Sequence, residues 1–358
     1  MLANSEKSLP GFGSSSALSR QMRQLLVVGT VTLFTALLAI LFLMPLGYSL
    51  SASLRGTSVE ADAPIWPASP AMYEYEGKEY PIYKVPLPDG SVRELPLYKQ
   101  GREKSTFLDP ENDHALIEWE GRWRTLDRNW SLDPQWKNYA DAYRIANFGR
   151  LFLNTLIIAV VGTIGTLASS VLVAYGFSRF AIPGKKILFM ILIGSIILPP
   201  QVTLVPTYTL FNKIGWTGTW LPLIVPHFFA NAYNVFLLRQ FFMGIPREID
   251  EAAMIDGATP LRTLVSVILP QATPAIMAVG LFHFFWSWND FFGPLIYLVG
   301  QEKLWTISVG MTYFNGQYNQ MPHLIQSTAM MALLLPLVIF LFAQRAFMQG
   351  VVVTGVEK

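Results

Sequence analysis

The 358-residue chain has no cysteine, which excludes a disulfide, a thiol nucleophile, a thiolate zinc site and an iron–sulfur cluster. Histidine is scarce. His114, His227, His283 and His323 lie far apart, with no H-x-x-x-H or comparable ligand spacing, so no metal site is expected. Charge is scarce too: 14% of residues are charged against 52% hydrophobic, a composition far from that of soluble chains. A net charge of +2 offers no bulk basicity for a nucleic-acid partner. There is no G-x-x-x-x-G-K-[ST] phosphate loop, so the chain cannot itself cradle ATP in the usual way. Nor does any convergent set of nucleophile, base and metal ligands point to an enzyme.

What the chain has instead is long apolar runs. Leu25 to Leu50 carries no charge over 26 residues, and at about 1.5 Å per residue it exceeds the roughly 30 Å hydrocarbon core of a bilayer. A cleaved signal peptide would need only about 7 to 15 apolar residues, so a retained span is the better reading. Further charge-free segments run from Leu151 to Tyr175, Ile187 to Leu210, Leu221 to Leu238, Ala275 to Val299 (interrupted by Asp290) and Leu324 to Phe342. Six spans are expected. Prolines such as Pro199, Pro200, Pro206, Pro226, Pro294 and Pro336 fall in them and are tolerated where neighbouring helices or a hydrated cavity take up the freed backbone groups.

The short loops set the orientation. With the N-terminus inside, eleven cations face the cytoplasm, among them Arg179, Lys185, Lys186, Arg239, Arg247 and Arg262, whereas the short outside loops carry only Lys213 and Lys303. Both termini are therefore placed in the cytoplasm, and residues 1–20 read as a disordered tail. Residues 51–150 hold 29 of the 50 charges, which marks them as an aqueous region between the first two spans. There, Tyr80–Leu87 and Ser91–Tyr98 flank the turn Asp89-Gly90, and Ala115–Trp119 and Arg122–Leu126 flank Glu120-Gly121, predicting two hairpins of a small β subdomain. Pro81, Pro86 and Pro96 would confine the first pair to sheet edges.

Local signals are densest in IPREIDEAAMIDGATPLRTLVSVILPQATP, Ile245 to Pro274. Pro246 suits a first helical turn, and Glu248, Asp250 and Glu251 place negative charge at the positive end of the helix dipole. Gly257 suits a left-handed C-terminal residue, and Thr259-Pro260 reads as an N-cap with a first-turn proline. Helix, tight turn and helix follow. Small Ala252 and Ala253 would allow close approach of another surface, with Ile249, Met254 and Ile255 supplying apolar contacts. On physics alone the segment reads equally as an ordinary re-entrant loop.

EAAMIDG followed by VILP resembles the EAA motif of the membrane permease subunits of binding-protein-dependent ABC sugar importers. The match comprises Glu251, Ala252, Ala253, Gly257, Leu269 and Pro270, with Val267 where the pattern prefers Ile. Over about residues 147–358 the chain is similar to the maltose-type members, at FLNTLIIAVVGTIGTLASSVLVAYGFSRF, FFWSWNDFFGPLIYL and FAQRAFMQGVVVTGVEK. Residues 51–146 depart from that family in their length. The resemblance implies an all-α integral membrane bundle of six transmembrane helices with a cytoplasmic coupling helix, here joined to a small β-rich extracytoplasmic insertion. Its parts would be a tail (1–24), a first helix (25–50), the insertion (51–146), the permease core (147–343) with the hairpin (245–274), and a C-terminal tail (344–358) that contacts the ATPases.

The resemblance further implies that Glu251, Ala252, Ala253, Asp256, Gly257, Leu269 and Pro270 couple the chain to an ATPase. The expected partners are two ATPase subunits holding ATP and Mg2+, a homologous second permease, an extracytoplasmic solute-binding protein and membrane lipid, in a prokaryotic cytoplasmic membrane. This chain itself would hold no cofactor. Asp290 is the only acid inside an expected span, and Trp286, Trp288, Asn289 and Asp290 offer the aromatic faces and acceptors that suit a sugar. The competing reading is that Asp290 caps a broken helix or pairs with a nearby donor and never meets solute. Gln201 is a second pathway candidate, while His227 and His283 read as packing residues. The alternative class, an ion-coupled secondary transporter, would show internal repeats and more midplane ionisable groups.

Overall fold

The structure is a computed structural model that describes residues 14–56, 63–316 and 320–352; the segment 1–13 of the expected N-terminal tail lies outside them. The chain divides into two units, one of residues 1–52 and 60–132, the other of residues 53–59 and 133–358.

The first unit begins with helix α1 (Ser14–Ser53). Every side chain from Met22 to Tyr48 is exposed, a state that suits lipid or a second protein and not water. Seven strands follow among the described residues: β1 (Ala68–Pro70), β2 (Met72–Tyr75), β3 (Lys78–Pro86), β4 (Val92–Lys99), β5 (Lys104–Asp109), β6 (Ala115–Glu120) and β7 (Trp130–Leu132). Strands β2 to β6 form an antiparallel sheet in sequence order, and β1 pairs with β7 from Ala68↔Leu132 to Pro70↔Trp130. Tyr83, Val85, Leu95, Leu97 and Phe107 form its buried core.

The first expected hairpin is present as β3–β4, and Gly90 sits at φ +84° in its turn. Asp89 Oδ1 accepts from the Ser91 hydroxyl (2.6 Å) and amide (2.8 Å), bonds that hold the Asp89 carboxyl below its usual range. The prolines do not make these strands edges, because β3 and β4 are both internal. They mark ladder ends instead: the β3–β4 pairing runs from Ile82↔Pro96 to Pro86↔Val92, and Pro81 lies just beyond it. The second expected hairpin is not formed. β6 pairs back to β5 along Lys104↔Glu120 to Asp109↔Ala115, and Trp123–Thr125 is a 3-10 turn. That turn returns Trp123 and Leu126 to the sheet core, where Trp123 meets Tyr83 edge-on at 5.8 Å. Burying those two side chains outweighs extending a short, exposed ladder.

The second unit contains α2 (Lys137–Ile145), α3 (Phe148–Arg179), α4 (Lys185–Gly194), α5 (Pro200–Lys213), α6 (Leu221–Ile224), α7 (Ala232–Gly244), α8 (Arg247–Ile255), α9 (Pro260–Thr263), α10 (Leu269–Gln271), α11 (Thr273–Trp288), α12 (Phe292–Tyr297), α13 (Ile307–Gly310) and α14 (Pro322–Val352). Among the described residues the strands therefore end at Leu132, and residues 137–145, grouped with the insertion on sequence, are a helix packed on α14 and α3. Asn138 Nδ2 ties α2 to the Ser53 and Arg55 carbonyls at 2.9 and 2.8 Å.

Among the described residues, four helical stretches are long and apolar enough to cross a membrane, Met22–Ser53, Phe148–Arg179, Leu221–Gly244 and Pro322–Gln344, and two bent pairs bring the number to as many as six. The expected Ile187–Leu210 span is such a pair, α4 and α5, because Leu198 and Pro199 are extended ahead of Pro200. The Leu221–Leu238 span is broken by a 3-10 turn at Val225–Phe228, which contains Pro226. The Ala275–Val299 span stops at Trp288 and resumes as α12. The C-terminal tail is helical as far as Val352, since one Gly at 350 costs a helix only about 1 kcal/mol; residues 353–358 lie outside the described residues.

Helix α3 is the axis of this unit. Val171, Ala174 and Tyr175 on it pack with Val235, Leu238 and Phe242 of α7 and with Leu264, Ile268 and Val279. Toward its start it packs with α2, α11 and α14 through Leu151, Phe148, Phe284 and Leu324. The broken segment between α6 and α7 lies against α3 where two glycines allow it: a Cβ on Gly165 would stand 2.7 Å from the Phe228 ring, and one on Gly162 would stand 3.1 Å from His227.

Candidate functional site

The segment 245–274 folds as its capping signals require. α8 carries Glu248 and Asp250 in its first turn and ends at Gly257, whose φ is +80°. Gly257 N donates to Met254 O (3.0 Å) and Ala258 N to Ala253 O (2.9 Å), closing the helix C-terminus. Thr259 then caps α9 by accepting from Arg262 N (3.4 Å). Leu264–Ile268 is one π-helical turn, α10 follows, and at Ala272 the chain turns by 82° into α11.

The hairpin has two faces. Ala253 and Asp250 are buried, and Ile249 packs on the core below. Glu251, Ala252 and Asp256 are exposed, as are Met254 (54%) and Ile255 (87%). Of the apolar contacts expected from Ile249, Met254 and Ile255, the first therefore points inward and the other two outward. Leu269 is half-buried and Pro270 exposed.

Sequence reasoning missed what holds the hairpin. Arg179, at the end of α3, brings Nε to 2.6 Å from Asp250 Oδ2, with both side chains 8% exposed. One guanidinium NH2 also donates to Ile245 O (3.0 Å), and Tyr175 OH donates to Pro260 O (3.1 Å). The available signal was a lone basic residue at the end of a long apolar helix, opposite an acid on the apolar side of a short amphipathic one.

A cavity of about 310 Å³ lies beside the break between α6 and α7. It is lined by His227, Asn231, Tyr233, Asn234, His283 and Trp286, together with Phe282. The two imidazoles meet edge-on with centroids 4.6 Å apart, and His283 Nε2 lies 3.2 Å from Thr166 Oγ1. Asn231 Oδ1 accepts from the Tyr233 and Asn234 amides (3.0 and 3.3 Å), which fixes the start of α7. Rings, amides and a phenol thus face one concave space, the composition of a site for a polyhydroxylated molecule. Among the described residues, no group of three or more His, Cys, Asp or Glu could hold a metal ion.

Of the candidates at the end of the fifth span, only Trp286 lines this cavity. Trp288 is buried on the other side, edge-on to Phe152 (5.5 Å) and stacked on Phe284 (5.7 Å). Asn289 is exposed and donates to Phe285 O (2.8 Å). Asp290 Oδ1 accepts from Gly293 N (3.2 Å) at the start of α12, the capping alternative. The Gln201 side chain lies outside the described residues.

Residues 168–352 match the family described as binding-protein-dependent transport system inner membrane component. The chain is 31% identical over 222 residues to the osmoprotective compounds uptake permease protein GgtD of Synechocystis sp., covering 62% of this chain and 74% of that one. It is 30% identical to the alpha-glucoside transport system permease protein AglG of Rhizobium meliloti (62% of this chain, 60% of that one). It is 32% identical to the sn-glycerol-3-phosphate transport system permease protein UgpE of Pectobacterium atrosepticum (57% and 73%). In fold it resembles a chain of a bacterial ABC transporter involved in the import of the acidic polysaccharide alginate, with a TM-score of 0.61 and 19% identity over 95% of this chain and all of that one. With its motif on an exposed hairpin and its apolar helices, the chain belongs to the inner membrane components of binding-protein-dependent transport systems, the non-catalytic, multi-pass permease subunits of ABC importers.

Proposed function

We propose that this permease carries a carbohydrate or a related solute, such as glycerol phosphate, across the cytoplasmic membrane by alternating access, driven by two ATPase subunits that hold ATP and Mg2+. The observation that carries the reading is the outward face of α8, where the motif residues Glu251 and Ala252 stand exposed beside Met254 and Ile255 on a hairpin anchored from within. An apolar face flanked by the exposed acids Glu251 and Asp256 suits a cleft that supplies a basic partner. Ala253 and Leu269 act from the inner side, Asp256, Gly257 and Pro270 from the turn and the far end. Closing of the ATPases moves the docked hairpin, and the spans rock as a body between inward- and outward-facing states.

Both termini lie in the cytoplasm and the two bent pairs complete six spans. The sheet of residues 68–132 forms an extracytoplasmic insertion that touches the solute-binding protein or covers the mouth of the pathway. The second permease is a homologous, different chain. The solute passes the cavity at His227, Tyr233 and Trp286; Trp288, Asn289 and Asp290 shape the adjacent helix break, and Gln201 stands at the opening of α5. The solute class is supported by the names of the relatives, alpha-glucoside and sn-glycerol-3-phosphate systems among them. Nothing favours an ion-coupled mechanism.

Uptake of a panel of sugars and glycerol phosphate by the reconstituted complex, with ATP and with an ion gradient alone, tests this. ATP-dependent uptake that falls at least tenfold in Tyr233→Ala, with ATP hydrolysis retained, is the expected result. Uptake driven by the gradient alone overturns the transport class; unchanged uptake in the variant removes the cavity from the pathway.

A further inference from the structure

On the sheet unit, two adjoining cavities of about 660 and 780 Å³ share Trp123, Arg124 and Thr125. Between them they are lined by five cations, Lys84, Arg102, Arg122, Arg124 and Arg128, against two carboxylates, Glu103 and Asp127. This is segregation and not composition, because residues 68–132 as a whole hold nine Lys/Arg and twelve Asp/Glu. Among the described residues none forms an ion pair with Arg102, Arg122 or Arg124. A cluster of like charges left unneutralised repels itself and adds nothing to folding.

Two of the arginines, Arg124 and Arg128, are also held in place. The Arg124 guanidinium carbon stands 4.9 Å over the Trp123 ring, and that of Arg128 stands 5.3 Å over Tyr83 and 5.7 Å over Trp130. Arg128 donates to Tyr83 OH at 2.9 Å. Tyr83 belongs to the buried core and Trp123 packs on it, so the platforms are rigid. A guanidinium laid on a ring keeps its N–H donors at its edge, in the fork geometry that matches a carboxylate. Either cavity falls in the size range of small-molecule sites.

We propose that this basic, aromatic-floored groove binds a carboxylate-bearing saccharide, with Arg122 and Arg124 as its principal anion contacts. The inference rests on the reading of the chain as a carbohydrate permease with this sheet outside the membrane. It adds a saccharide site on a segment that the family match does not reach.

The test is calorimetric titration of the purified full complex with trigalacturonate and with maltotriose, at low and at raised salt. Trigalacturonate should bind, weaken as salt rises, and lose at least tenfold in affinity in Arg122→Gln/Arg124→Gln. Both residues are exposed, so the double variant should fold and assemble normally. Equal affinity in variant and native complex overturns the proposal, as does an equal loss for maltotriose. Displacement of trigalacturonate by phosphatidylglycerol nanodiscs, but not by neutral ones, overturns it in favour of lipid. ATP hydrolysis stimulated by the binding protein is read in the same samples: if it persists while trigalacturonate fails to bind, the groove is wrong and the permease reading stands.

Discussion

Arg179 and Asp250 form a buried ion pair, Nε to Oδ2 at 2.6 Å, that joins the end of α3 to α8. The second Asp250 oxygen is buried and accepts no hydrogen bond among the described residues, so the carboxylate depends on this one cation. Removing one member of such a pair leaves the other buried and uncompensated, at a cost of about 3–5 kcal/mol. Asp250→Asn and Arg179→Gln should each lower the unfolding midpoint of the purified complex and the solute moved per ATP hydrolysed. The double variant should be no worse than the weaker single one, because the two changes share one interaction. Strictly additive losses would mean that the side chains act separately.

At Gly257 the conformation, and not the space, is constrained: φ is +80° and a Cβ would meet nothing within 4 Å. Gly257→Val should therefore cost about 1–3 kcal/mol in the hairpin, and Gly257→Asn much less, since Asn tolerates the left-handed region. Membrane insertion should be normal in both. Coupling of ATP hydrolysis to uptake should fail in the Val variant, and equal behaviour of the two would argue against a strained turn.

Glu251→Lys leaves the hairpin fold untouched, because Glu251 is exposed and in no ion pair among the described residues. It should abolish coupled uptake while the protein inserts and unfolds as before. Normal uptake in the reconstituted complex would count heavily against docking at this face.

The β1–β7 pairing holds Pro70 opposite Trp130, so a short Gly/Ser linker in place of residues 72–128 can join the two ends without strain. Weakened docking of the loaded binding protein, with normal assembly, is the expected phenotype. Loss of assembly with unchanged docking by the surviving complexes would make the sheet a pad against the second permease.

Deleting residues 350–358 should lower ATP hydrolysis or the yield of assembled complex, by the proposal that the C-terminal segment contacts the ATPases. Full hydrolysis after truncation would remove that role.

The hairpin was the most legible part of the sequence, because Gly257, Thr259 and Pro260 act through local backbone rules that need no distant partner. The apolar runs gave the helical stretches by length alone. Breaks were harder to place: Pro199-Pro200 ends a helix, whereas Pro336 lies inside α14, and only the neighbouring helices distinguish them. The β5–β6 ladder was hidden because Lys104–Asp109 and Ala115–Glu120 are joined by a charged loop without a strong turn dipeptide, while the attractive partner 122–126 is drawn away by the burial of Trp123 and Leu126. Arg179 and Asp250 are 71 positions apart in sequence, and nothing local marks them as partners. The cavity was missed for the same reason: Asn231, Tyr233 and Asn234 look like ordinary helix-start residues until His227, His283 and Trp286 are brought opposite them.

The 82° turn at Ala272 makes the chain from Pro260 to Trp288 an L-shaped crank. Its corner is fully buried, with Ala272 0% exposed and packed in the α3–α7 core. A sideways displacement of the short arm, α9 to α10, would therefore not be absorbed as sliding of α11 along its own axis. It would emerge as rotation of α11 about its inner end, so that Phe282, His283 and Trp286 swing with it. A displacement at the hairpin would thereby reach the cavity wall, with Ala272 as the fulcrum.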